Sequence, residues 1–336
     1  MTRNGNKSVM KISANSHKRI TAYAGIVLVI FIWGLYPISL DGYFYNHYSP
    51  SILSFLTALI SGIVLLFICF PRLNTLIRLY FKIAIPTGFF NAAASLLQKI
   101  GLQYTTPTQY AFLENLSCVV VPVLLFIFIR KKPSVLTITA SVLCLIGCFL
   151  LSGLNFSGNG VSFGTGTILC ALAGVLYGVN IAATGAYAKE FYAPLYVMIQ
   201  IFVQVIVSLI TALMLNNICF NSVPIERLIF SWDLAKLLLV AISALAVSTL
   251  CWIIRTNAMK YVNASVVAVM MPFSAVVTGG CAVLIGSDTF TFNLALGGVI
   301  VIVASVLSSV GDIRESRKDK SEHREQKNRD TEYSGK

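Results

Sequence analysis

The chain has 336 residues, of which 57% are apolar and 11% charged, and its formal net charge is +12. A soluble domain averages about 45–50% apolar and about 25% charged residues. With a mean hydropathy of +0.80, this composition excludes a water-soluble globule. Charge is also concentrated at the ends. Residues 1–19 hold five basic residues and no acid, and residues 312–336 hold eight basic and seven acidic ones, leaving 18 charges for the 292 residues between. Basic residues in tails and short gaps do not make the folded basic face with interleaved aromatics that nucleic acid requires, so nucleic acid is excluded as a partner. The eight cysteines lie mostly within apolar runs and form no C-x-x-C pair. They are small apolar fillers, and neither a disulfide framework nor a metal site is expected.

A helix that crosses a bilayer needs about 20 mainly apolar residues. In chain order the stretches that qualify are 21–40, 51–70, 82–101, 108–129, 134–152, 165–187, 193–215, 235–256, 263–285 and 292–310. Pro50, Pro71, Pro107, Pro133 and Pro194 fall between them or in first turns, where proline does least damage. The first stretch runs on through Trp33 and Tyr36 without a small-residue cleavage site, which marks a helix and not a signal peptide. With the N-terminus inside, the inner segments carry 22 of the 25 Lys and Arg, the bias of cytoplasmic loops. The sequence therefore predicts an all-α integral membrane protein of ten transmembrane helices. A basic N-tail (1–19) and a charged C-tail (312–336) both lie in the cytoplasm, at the cell membrane. The C-tail has no hydrophobic period and cannot fold alone. Asn155-Phe-Ser157 is a weak glycosylation pattern on the outer connection 153–164.

The ten stretches divide into two similar sets. Trp33-Gly34, Tyr43, Tyr48 and Pro50 match Tyr177-Gly178, Tyr187, Tyr192 and Pro194 at a constant offset of 144. Tyr104, Ala111 and Ser117 match Tyr261, Ala268 and Ser274 at an offset of 157, the difference being taken up by the longer connection 216–234. Residues 20–152 and 165–311 are thus expected to be five-helix repeats. Because five is odd, the second must sit upside down relative to the first. Inverted repeats are the usual build of secondary transporters, with the substrate site near the midplane between halves.

The segment from Gly101 to Pro122, GLQYTTPTQYAFLENLSCVVVP, resembles the fourth-helix signature of the EamA-type branch of the drug/metabolite transporter superfamily. Tyr261 to Val277, with Met271-Pro272, is similar to its ninth-helix counterpart. The likeness extends over about residues 20–311. There are departures: Lys131 and Asp288 stand where family members commonly have Glu, and Glu114 and Asn115 replace small or hydroxyl residues. The resemblance implies a ten-helix fold and export or exchange of small metabolites, often amino acids or drug-like compounds. It assigns no substrate residue.

Those residues are sought among polar groups that hydrocarbon would not tolerate. An ionisable group at a helix centre costs at least about 2.5–3.5 kcal/mol in a membrane, so it faces a partner or a wet cavity. Glu114 is the one acid deep in a stretch, seven residues into the fourth, about 10 Å from its end by helical rise. It is the candidate for proton coupling or for binding a cation; the alternative is a structural acid bonded to Asn115 or to the ends of neighbouring helices. Asn91, Ser95 and Gln98/Lys99 lie on one face of the third helix, and Ser248, Trp252 and Arg255/Thr256 occupy the same slots of the eighth. Lys99 is suited to a substrate carboxylate or to pairing with Glu114, and equally to snorkelling to an interface. Arg255 is expected to snorkel to the inner interface. Trp33 and Tyr36, with Tyr177, Asn180 and Thr184, and Gln200, Gln204 and Ser208, complete the candidate pocket. Aromatic walls with few hydrogen-bonding groups suit small amphipathic solutes. Each residue alone is more often helix–helix glue than a ligand. Trp33, Trp252 and the Tyr43/Tyr45/Tyr48 group also fit an interfacial belt. Pro37, Pro86, Pro122 and Pro272 lie inside stretches and are candidate hinges.

The expected function is secondary active transport of a small organic metabolite by alternating access, with proton coupling through Glu114. No P-loop is present, so ATP is not the direct energy source, and no cofactor or metal is called for. A passive channel or facilitator and a non-transporting sensor stand as alternatives. A membrane-embedded enzyme is a weaker one, because His17, His47 and His323 all fall outside the stretches. Solute and lipid are the expected partners. Gly174-x-x-x-Gly178, Gly279-Gly280 and Gly297-Gly298 permit close packing within one chain, which leaves monomer and homodimer both open.

Overall fold

The computed structural model describes residues 3–39, 50–102, 104–105, 113–130, 134–151, 164–215, 234–286 and 290–334. Tyr43, Tyr45, Tyr48, the glycosylation pattern at Asn155 and the connection 216–233 lie outside them. Every described element is helical, as expected of a chain that must satisfy its backbone internally in lipid. The rods are α1 (Arg3–Ser39), α2 (Pro50–Cys69), α3 (Arg78–Leu102), α4 (Ser117–Ile129), α5 (Val135–Leu151), α6 (Thr165–Tyr187) and α7 (Ala193–Leu215). Three more follow. α8 is Leu234–Ser243 and Cys251–Ala258 joined by a π-helical stretch, Ala244–Leu250; α9 is Ala264–Met270 and Phe273–Ile285; α10 is Phe292–Ser334.

Each of the ten apolar stretches contains a rod, but among the described residues only seven rods are long and apolar enough to cross a membrane: those over His17–Tyr36, Ser51–Thr75, Thr165–Glu190, Ala193–Met214, Leu237–Ala258, Ala264–Ile285 and Phe292–Glu315. α3 has the length, 25 residues, but carries Arg78, Lys82, Asn91, Gln98 and Lys99. α4 and α5 are short, at 13 and 17 residues.

The ends of the chain differ from expectation. α1 begins at Arg3 and α10 runs on to Ser334, so both charged tails are largely helical. A helix already nucleated in a packed rod extends at little cost. The C-tail offers no Gly or Pro between Gly311 and Gly335, and it spaces Lys318/Glu322 and Glu325/Arg329 at i,i+4. The candidate hinges agree only in part: Pro272 stands at a break inside α9, and Pro37 lies within α1. Pro86 and Pro122 lie inside unbroken helices. The breaks fall at Asn115–Leu116, just before α4, and at Met271–Pro272 inside α9. Those two breaks are equivalent positions at the offset of 157, within one residue.

The principal interfaces are α5 with α10, α2 with α7, α4 with α9, α3 with both α6 and α7, α4 with α6, and α1 with both α8 and α9. α2 also meets the π-helical part of α8. Exchanging each rod for the one five places along returns nearly the same set. One pair of glycines follows that exchange at atomic scale. A Cβ on Gly34 would stand 2.6 Å from Val277 Cβ and 2.8 Å from the Ser274 carbonyl oxygen, and one on Gly178 would stand 2.7 Å from Val120 Cγ1 and 3.5 Å from Ser117 Cα. Gly34 and Gly178 are related by 144, and Ser274/Val277 and Ser117/Val120 by 157. In both places a glycine lets one helix lie directly on a helix that adjoins a break.

Candidate functional site: a central cavity between the breaks

The breaks at Asn115–Leu116 and Met271–Pro272 border a cavity in the middle of the bundle that holds about 80 Å³ of space. That is room for about two or three waters, so a larger solute requires the walls to part. Trp33, Tyr36, Asn91, Ser95, Lys99, Glu114, Tyr177, Gln204 and Trp252 all line it. Of the polar positions expected to form a pocket, Asn180, Thr184, Gln200 and Ser208 do not line it; they are hydrogen-bonded among the helices behind the wall. Members related by the two offsets line the cavity together: Trp33 and Tyr177, Asn91 and Ser248, Ser95 and Trp252, Glu114 and Met271, Ser117 and Ser274.

The expectation for Arg255 is overturned. It does not snorkel; it is 1% exposed and lines the cavity. The reason is local. Arg255 follows Trp252 by less than one turn, and its guanidinium carbon stands 3.9 Å from the centroid of Trp252 and 5.4 Å from that of Trp33. Two indole faces hold it by cation–π attraction, which strengthens where water is excluded. Its Nη2 donates to Asn180 Oδ1 at 3.0 Å, and Asn180 Nδ2 in turn donates to the Thr87 carbonyl at 3.0 Å. The guanidinium on α8 is thereby tied through α6 to the backbone of α3. The belt reading of Trp33 and Trp252 also fails: their ring centroids lie 5.8 Å apart, with Tyr177 6.5 Å beyond Trp252.

Lys99 is 5% exposed and is held by two hydroxyls, donating to Ser54 Oγ at 2.7 Å and Ser95 Oγ at 3.2 Å. Gln204 Nε2 donates to the same Ser95 oxygen at 3.3 Å, and Asn91 Nδ2 donates to Gln204 Oε1 at 3.3 Å. The polar stripe predicted on α3 is therefore one hydrogen-bonded chain that ties α3 to α2 and α7. Glu114 is the last helical residue before the Asn115–Leu116 turn that precedes α4, so the helix expected to run through it is broken there. It is partly exposed and lines the cavity.

Sequence reasoning missed three further features. Tyr196 and Gln200 form a buried knot with Thr87 and Thr184: the Tyr196 hydroxyl lies 2.8 Å from Thr87 Oγ1 and 3.1 Å from Thr184 Oγ1, and Gln200 Nε2 donates to Thr87 Oγ1 at 2.8 Å. Tyr196 carries no sequence signal, since a lone tyrosine in an apolar run reads as core. The π-helical stretch of α8 presents Val247 and Ser248 to the cavity, and the Val247 carbonyl accepts from Trp33 Nε1 at 3.4 Å. Such stretches gather at functional sites. Last, a second cavity of about 340 Å³ opens among Arg19, Lys189, Lys260 and Asp312. An apolar cluster separates the two spaces: its Ile181 and Met271 border the central cavity, and its Leu125, Met259, Val262 and Ala264 border the second.

Residues 20–153 match the model of the EamA-like transporter family. Among solved structures, 29 chains match. One of them, described only as "Crystal structure of protein", aligns with a TM-score of 0.65 and 15% identity over 89% of this chain and 98% of its own. At that identity the likeness is one of fold. No curated protein matches the chain.

Proposed function

From the premise that residues 20–153 are an EamA-like transporter unit of the drug/metabolite transporter superfamily, we propose that this multi-pass membrane protein is a secondary active transporter. It moves a small organic solute by alternating access across the plasma membrane. Two five-helix repeats, inserted upside down to one another with both termini in the cytoplasm, enclose the solute between the broken ends of α4 and α9. The observation that carries this reading is the two-sided lining of the central cavity, in which positions equivalent at offsets of 144 and 157 face one space. A soluble-type core would have filled that space with apolar side chains. Here it holds two buried cations, an acid and four aromatic rings.

The small volume of the cavity fits an occluded state of such a cycle, closed on one side by the apolar cluster around Val267 and Met271. Purified protein in liposomes loaded with unlabelled solute tests the reading: a carrier shows saturable counterflow of labelled solute, while a channel shows none. Tags on the two termini test the topology, which requires both on the same side. Glu114 is proposed as the proton-coupling group. Glu114→Gln should leave counterflow intact and abolish accumulation driven by a pH gradient; unchanged accumulation removes Glu114 from that role.

A further inference from the structure

Among the described residues that line the central cavity, the charged ones are Lys99, Glu114 and Arg255. Two cations face one acid. Both cations are at least nine-tenths buried, and a buried charge is costly unless paired. Lys99 is solvated by two neutral hydroxyls and Arg255 by one amide oxygen and two indole faces. The Arg255 Nε is buried without a hydrogen-bond partner. Neither cation has more than neutral dipoles around it in these contacts, and Glu114 balances at most one of them. Among the described lining residues, positive charges outnumber negative ones by one.

We infer that the solute supplies the balancing negative charge: the site takes a small organic monoanion with a planar apolar body. This assignment rests on the transporter reading of the same cavity and deepens it. The anionic group meets the Arg255 guanidinium, which presents a flat fork of donors suited to a carboxylate. The body lies along the rings of Trp33, Trp252 and Tyr177. Asn180 is a positioning residue, fixing the guanidinium from α6 while anchored to the Thr87 carbonyl of α3. A zwitterion would leave the excess in place, and a cation would double it.

The test uses four probes with one body and different charge: 3-phenylpropionate, its amide, phenylalanine and phenethylamine. Their affinities are measured by thermal shift and by calorimetry on the purified full chain in detergent. The anion should bind about tenfold or more tighter than the amide, the difference that one charge-assisted hydrogen bond provides. Three variants give signed outcomes. Arg255→Gln and Lys99→Gln each neutralise the cavity and should erase the preference of anion over amide. Glu114→Gln raises the cavity's charge and should strengthen it, a gain that a merely damaged site cannot show. Equal binding of anion and amide, a preference for phenylalanine, or no binding by any probe overturns the assignment. Counterflow in liposomes separates this from the parent reading. Anion-selective binding without counterflow sinks the transporter and keeps the anion site, while counterflow selective for the amide does the reverse.

Discussion

Arg19 and Asp312, 293 positions apart in the chain, form an ion pair that joins the first helix to the last, and the Tyr23 hydroxyl donates to the same carboxylate oxygen at 2.8 Å. Asp312 is 7% exposed, at the wall of the second cavity. A pair in contact and partly shielded couples more strongly than an exposed one, which is worth about 0–1 kcal/mol. A double-mutant cycle of Arg19→Gln and Asp312→Asn, read by denaturation of the purified protein, should give a coupling energy of about 1–2 kcal/mol. Tyr23→Phe alone should cost about 1 kcal/mol. A coupling near zero would mean that the two helices are held by packing alone.

That pair also marks the limit of what the sequence reveals. The helical rods, their order and the offsets of 144 and 157 are legible because each rests on local pattern: apolar runs bounded by Pro and charge, and Gly, Tyr and Ser at fixed spacing. The cavity walls on α3 and α6 are legible for the same reason, since Asn91, Ser95 and Lys99 share a helical face. The place of Arg255 is not, because snorkelling depends on what stands beside a side chain. Its partners Trp33 and Asn180 come from α1 and α6. The break at Asn115–Leu116 is also hidden. Nothing in Glu-Asn-Leu forbids helix, and the obvious breaker, Pro122, lies inside an unbroken one. The helical tails escape a reading that asks each segment for its own core, because they extend rods that already have one.

Tyr196→Phe tests the knot that joins α3, α6 and α7. Tyr196 is fully buried, and its hydroxyl meets Thr87, Thr184 and the Gln200 Nε2, the last at 3.1 Å. Removing the hydroxyl leaves buried donors short of an acceptor, which costs about 1–3 kcal/mol. The phenylalanine ring keeps the stacking on Phe191, whose centroid is 5.0 Å away. Thermal unfolding should therefore shift down by several degrees while the secondary structure by circular dichroism stays the same. An unchanged midpoint would show that the network is satisfied by water.

Lys99→Met should separate stability from function. The ammonium is buried against Ser54 and Ser95, and an apolar side chain of similar length escapes the desolvation cost of burying a charge among neutral partners. Melting of the variant should begin no earlier than that of the natural chain, yet 3-phenylpropionate should no longer raise its midpoint more than the corresponding amide does. A large fall in the midpoint would instead make Lys99 a structural residue, needed to hold α2 against α3.

Gly34→Ala and Gly178→Ala test the internal repeat directly. The added Cβ meets Val277 and the Ser274 carbonyl in one case and Val120 in the other, all closer than 3.0 Å, so each helix must move off its neighbour. Overpacking of this kind costs about 1–3 kcal/mol. Both substitutions act at positions that the two offsets make equivalent, and both press on a helix that adjoins a cavity-lining break. Each should lower the midpoint by a similar amount and should slow counterflow by displacing Ser274 or Ser117. Gly280→Ala, where a Cβ would meet nothing within 4 Å, is the control and should change neither. If one glycine tolerates alanine and the other does not, the two halves do not share a common packing, and the repeat is confined to sequence.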